Sequence, residues 1–151
     1  MNKETREIIE SRLRELMQEV KDNHINAGQR ASGKTIESLK IESDENSVGL
    51  LGRKYFGVLE TGRKPGKVPK GFYETILKWA KSKSIDFESE TKMKTFAYFV
   101  SKKIAEEGTK LFRKGGRNDI YSIAVERAKK DINTAIGRMA IESVTNIKTN
   151  L

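Results

Sequence analysis

The chain has 151 residues, 36% hydrophobic and 34% charged, with no cysteine, one histidine and a formal net charge of +9. This is enough chain for a single domain with its own core, expected over 1–151. Disulfides, thiolate metal sites, a cysteine nucleophile and a histidine metal cluster within one chain are all excluded.

Over residues 4–27, Ile9, Leu13, Leu16, Met17, Val20 and His24 recur at steps of three and four, one face of an amphipathic helix that Gly28 closes. Glu7, Glu10, Arg14, Glu15 and Glu19 fall on its other, solvated face. From Ser32 the pattern predicts one helical turn, then a strand near 39–43, a turn at Asp44-Glu45-Asn46 and a returning strand over 47–51. Residues 55–59 are expected to add a third short strand. The run from Thr61 to Gly71 holds both prolines and reads as a surface loop, closing a β-rich part over 36–71.

Phe72, Ile76, Leu77 and Trp79 restore helical spacing over 72–83. A second helix is predicted over 90–107, with Phe96, Phe99, Val100 and Ile104 on one side. Residues 109–116 follow as a basic loop, and Asn118 or Asp119 is placed to cap a last helix over 118–148. That helix carries Ile120, Ala124, Ala128, Ile132, Ala135, Ile136, Met139, Ser143 and Ile147 as a stripe suited to close packing. At about 30 residues it runs roughly 45 Å, longer than so small a domain can cover, which predicts a partner subunit over part of it. The fold expected is α+β, with long N-terminal and C-terminal helices and a central helix packed on a small antiparallel β-sheet.

The positive charge is local. Residues 61–83 hold seven basic side chains (Arg63, Lys64, Lys67, Lys70, Lys78, Lys81, Lys83) against Glu74, and 108–117 hold Lys110, Arg113, Lys114 and Arg117 with no acid. These two segments account for the whole excess and point to an anionic partner. Tyr55, Phe56, Phe72 and Tyr73 lie near the first, so stacking on bases beside phosphate contacts is one reading. The other is a solvated loop whose aromatics, Phe72 above all, belong to the core.

Gly28-Gln29-Arg30-Ala31-Ser32-Gly33-Lys34-Thr35 satisfies the P-loop pattern letter for letter, which would set Lys34 on phosphates and Thr35 on magnesium. A P-loop follows a buried strand, however, whereas Gly28 follows a predicted helix, and Glu60 after Val58-Leu59 is a weak stand-in for the magnesium carboxylate. No carboxylate pair sits in the apolar setting that splits two pKa values for acid and base work. His24, on or beside an apolar face, is expected as a packed or interfacial residue. No catalytic residue, cofactor or metal is expected, and no apolar run reaches the ~18 residues of a membrane span. The start, Met1-Asn2-Lys3-Glu4-Thr5, lacks a signal-peptide stretch, so a cytoplasmic location is expected.

In their order, several segments resemble the head-tail connector, neck and tail-completion proteins of tailed bacteriophages. These families open on a helix and enter a strand through a Thr-Gly-x-Leu-x-x-Ser-Ile-like segment, matched by Ser32-Gly33-Lys34-Thr35-Ile36-Glu37-Ser38-Leu39. A Tyr and then Glu-x-Gly follow, as in Tyr55-Phe56-Gly57-Val58-Leu59-Glu60-Thr61-Gly62, and a proline-bearing loop comes next. An Ala-Tyr-x-x-x-x-Lys-Ile-Ala-x-x-Gly-Thr helix is matched by Ala97 to Thr109, and a final helix has its counterpart. The similarity spans about residues 5–145. The family's Pro-Phe-Leu-type segment is replaced here by Leu111-Phe112-Arg113-Lys114-Gly115-Gly116.

The resemblance implies a virion protein without catalysis, assembled in the host bacterial cytoplasm as a homo-oligomeric ring between neighbouring portal-connector and tail proteins. It also implies genomic double-stranded DNA in the ring lumen, met by basic side chains that contact phosphate without reading bases. Arg63, Lys64, Lys67, Lys70, Arg113, Lys114 and Arg117 are the residues given that role, or docking to acidic patches on a neighbour. Tyr55, Phe56, Ile132, Ile136 and Met139 are the expected subunit interface. A sequence-nonspecific double-stranded DNA-binding protein is the second reading, and a P-loop enzyme the third.

Overall fold

The computed structural model describes residues 1–149, with side chains to Thr145. It is mostly helical with one two-stranded antiparallel sheet, the α+β class expected. Helix α1 (Lys3–Asn26) starts where the Asn2 side chain accepts from the Thr5 amide at 2.7 Å and stops at Gly28, whose φ of +66° suits a residue without Cβ. Its inward face is the predicted one: Leu16, Val20 and His24 are buried.

After a single turn, α2 (Lys34–Glu37), strands β1 (Lys40–Ser43) and β2 (Val48–Leu51) pair with Lys40 opposite Leu51 and Ser43 opposite Val48. Asp44 builds the turn: its carboxylate accepts from the Asn46 and Ser47 amides and the Ser47 hydroxyl, each at 2.8 Å. Leu39, Leu50 and Phe56 press this hairpin onto α1, around a core of Leu16, Val20 and Ala124.

Ala124 belongs to the last helix, α7 (Ser122–Thr149), which lies antiparallel along α1. The Asn23 amide donates to the Ile120 carbonyl at 3.2 Å at one end, and Thr5 meets the Met139 sulfur at 4.0 Å at the other. Arg127 and Glu19 bridge the pair at 2.9 Å. The expected stripe reaches Ile147, whose side chain lies outside the described residues.

A second helical hairpin stands apart from this one. Helices α4 (Phe72–Ser82) and α5 (Glu90–Glu107) pack through buried Ile76, Ala80 and Ala97, with Ser89 capping α5 and Phe87 against Phe96 at 5.2 Å between centroids. Phe99, expected on the apolar side of α5, is 62% exposed beside exposed Tyr98. The packing face instead carries Met93, Phe96, Ala97, Val100 and Ile104, since two helices bury a stripe narrower than the helix's apolar content.

The third strand predicted at 55–59 does not form. The chain turns there, with the Phe56 amide donating to the Arg53 carbonyl at 2.9 Å, and enters the one-turn helix α3 (Val58–Thr61). A helical turn delivers Glu60 inward, where it has partners that a strand would not offer. The loop expected at 109–116 is likewise partly helical: α6 (Lys110–Arg113) starts at Thr109.

The surface is large for the mass. The chain exposes 10730 Å², whereas a compact monomer of 17.1 kDa exposes about 7,800 Å². The surplus, roughly 3,000 Å², comes from two helical hairpins that touch through small bridging elements and from the end of α7 that runs past α1.

Candidate functional site

The two basic segments, far apart in sequence, form one surface. The Thr109 amide donates to the Arg63 carbonyl at 2.8 Å, the Arg63 amide to the Thr109 hydroxyl at 2.9 Å, the Gly66 amide to the Ala105 carbonyl at 2.8 Å and the Arg117 amide to the Glu60 carbonyl at 2.9 Å. Two glycines permit the approach. A Cβ on Gly62 (φ +69°) would stand 2.4 Å from the Phe112 nitrogen, and one on Gly108 (φ +79°) 2.7 Å from the Arg63 oxygen. These are the glycines of the Glu-Thr-Gly and Gly-Thr matches.

Glu60 is the centre of the joint and only 2% exposed. One carboxylate oxygen accepts from the amides of Ile120 (2.9 Å), Tyr121 (2.6 Å) and Ser122 (2.9 Å), and the other accepts from the Ser122 hydroxyl. A side chain from α3 thus satisfies the orphan donors at the start of α7 and meets the positive end of its dipole. Burial pushes the Glu60 carboxyl up, but the Ser122 hydroxyl and the three amides outweigh it and hold the pKa below the ordinary glutamate value. The caps expected from sequence do not act. Asp119 is engaged by Arg117 at 2.6 and 2.8 Å, and Asn118 contributes its carbonyl, which accepts from the Ile123 amide. The helix accordingly begins at Ser122 rather than 118.

Of the seven basic residues singled out, three are occupied. Arg63 donates to the carbonyls of Lys64 (3.3 Å) and Lys67 (2.9 Å) and stacks 5.3 Å over the Phe72 ring, so it shapes the loop. Arg113 pairs with Glu107 at 2.5 Å, and Arg117 with Asp119. Lys64, Lys67, Lys70 and Lys114 are exposed and make no ion pair with any described residue. Tyr55, 71% exposed, joins Val58, Arg63, Lys67, Lys70 and half-buried Phe72 around an open groove of about 630 Å³. An aromatic floor with a cationic rim suits a polyanion or an acidic protein surface.

The other expected interface residues are not gathered there. Phe56 is half-buried with its ring 5.8 Å from that of Tyr121, and Ile132, Ile136 and Met139 are half-buried on the α7 face that continues from Ala124 along α1. Gly28 to Thr35 follows a helix, and Gly33 opens only the four-residue α2. The strand that a P-loop requires is replaced by α1. His24 is packed and 3% exposed, its Nδ1 without a partner among the described residues. Burial first, then the nearby charges of Lys83 and Arg30, lower its pKa. No helix among the described residues is long and apolar enough to cross a membrane.

Compared with family models, with curated proteins and with solved structures, the chain matches none.

Proposed function

We propose that this chain is a structural virion protein of a tailed bacteriophage, a neck or tail-completion subunit forming a homo-oligomeric ring through which DNA passes. In this reading it is not an enzyme and needs no cofactor. It assembles in the host cytoplasm between portal-connector and tail proteins. The observation that carries the reading is the joint itself. The residues that carry the family resemblance, Glu60, Gly62, Gly108 and Thr109, are the ones that lock the two basic segments and α7 together. The large free surface is consistent with a subunit that buries area on assembly.

Light scattering on the purified protein, at low and high salt, with duplex DNA and with isolated phage heads or tails, tests it. A salt-resistant ring, or a monomer that becomes a ring only on those particles, is the expected result. A sequence-nonspecific double-stranded DNA-binding protein is the second reading, favoured by Lys67 and Lys70, which share a groove with Tyr55 and make no ion pair with any described residue. A stable monomer that binds free duplex tightly and ignores the particles overturns the connector in its favour.

A further inference from the structure

Two apolar surfaces are exposed among the described residues, separated by about 33 Å along α7. The first is an open cleft of about 490 Å³ between the helical hairpins, lined by Val58, Leu59, Phe72, Ile76, Trp79 and Ile104, with Arg63 and Lys83 also facing it. Val58 and Trp79 are 40% and 38% exposed there. The second is the free end of α7. The helix passes the start of α1 near Met139 and continues to Thr149, about 15 Å of helix with every described side chain from Ala140 onward exposed. Ile141 and Val144 stand there at 68% and 56% exposure, one helical step apart on the same side.

We infer that the free end of α7 on one copy docks into the cleft of the next, joining subunits head to tail. The inference rests on the ring reading above and names the contact that builds the ring. A short helical overhang gains little stability from its own hydrogen bonds, and paired apolar anchors at i and i+3 are the pattern by which a helix enters a groove. Charge agrees: the C-terminal end of a helix carries partial negative charge, and Arg63 and Lys83 stand at the cleft, their hydrogen bonds to the carbonyls of Lys64, Lys67 and Gly28 leaving both positive charges unneutralised. Area agrees as well. A standard interface removes about 800 Å² from each partner, a ring subunit makes two, and the surplus of roughly 3,000 Å² covers both. Because the two surfaces differ, the contact is heterologous and propagates around a ring rather than stopping at a dimer.

The cysteine-free sequence makes the test clean. Val58 lies beside Glu60 at the start of α7, and Val144 lies 22 residues along that helix, about 33 Å away. A disulfide between Val58→Cys and Val144→Cys within one chain is therefore out of reach. Mild oxidation of a mixture of the two single variants should give a species of twice the 17.1 kDa chain mass, and the double variant a ladder ending at the ring. Ile141→Glu added to the Val144→Cys chain should lower the cross-linked fraction by ~10-fold or more, and Ile141→Glu with Val144→Glu, two exposed sites, should leave the far-UV circular dichroism spectrum unchanged while the ring is lost, since charges resist an apolar cleft. A wild-type ring that survives the double Glu variant, or Val144→Cys cross-linking only to itself, overturns this contact and leaves the connector reading standing. A wild type that stays monomeric at every concentration and on isolated phage heads and tails overturns both.

Discussion

Replacing Glu60 should do more damage than replacing any other carboxylate in the chain. Glu60→Ala leaves the amides of Ile120, Tyr121 and Ser122 without their acceptor, in a site where Glu60 itself is 2% exposed. An unmet buried donor costs about 1–3 kcal/mol, and the half-exposed Tyr121 and Ser122 recover part of that from water, so the expected loss is about 3–5 kcal/mol. For a chain of this size each kcal/mol lowers Tm by about 2–4 °C, which gives a fall of about 6–20 °C. Glu60→Gln keeps one acceptor oxygen but loses the charge facing the helix dipole, an expected loss of about 1–2 kcal/mol. The carboxylate is held below its ordinary pKa in the fold, so its contribution is complete above the unfolded value of about 4.3 and is lost as pH falls through the lower folded value. Stability of the wild type minus that of Glu60→Gln should therefore shrink in acid and be flat from pH 6 to 8. Circular dichroism melts and amide exchange at Ile120 to Ser122 read both effects. A Glu60→Ala protein within about 0.5 kcal/mol of wild type, with those amides still protected, would refute the capping argument.

The joint can be probed from its glycines too: Gly62→Ala meets both a positive φ and the Phe112 nitrogen and should cost over ~2 kcal/mol in urea unfolding. Gly115→Ala, with φ +86° but open space around it, should cost only about 1 kcal/mol. Replacing Lys64, Lys67 and Lys70 together by Gln should leave the melt unchanged while lowering the slope of log K against log salt for duplex DNA by about 3 in fluorescence anisotropy. An unchanged slope would remove these lysines from phosphate contact. His24, buried and held below its ordinary pKa, makes the native state bind fewer protons than the unfolded chain, so stability should fall as pH drops below about 6.5. His24→Leu should remove that part of the decline, measured by melts between pH 8 and 5.

The helices over 72–83 and 90–107, the first helix and the β-hairpin were legible because each advertises itself within a few residues. Leu13, Leu16 and Val20 keep helical step, Asp44 folds its own turn, and Gly28 ends a helix where it stands. Phe99 was not legible. Its spacing from Phe96 allows either side of α5, and only the position of α4 selects the stripe through Ala97. The segment 55–59 misled for the opposite reason, since its β-favouring residues obey a partner far along the chain.

The sequence by itself determined the order of the four long helices and the β-hairpin, the α+β class, the inward face of α1 and the concentration of charge in two short segments, all properties carried by neighbours in the chain. Only the tertiary structure decided that those two segments are one surface, that Glu60 rather than Asn118 or Asp119 caps α7, and which basic side chains make no ion pair among the described residues. The physical reason is range. Periodicity and turn chemistry are local, whereas a buried carboxylate finds its donors, and a loop arginine its ring and carbonyls, only after the chain has closed on itself.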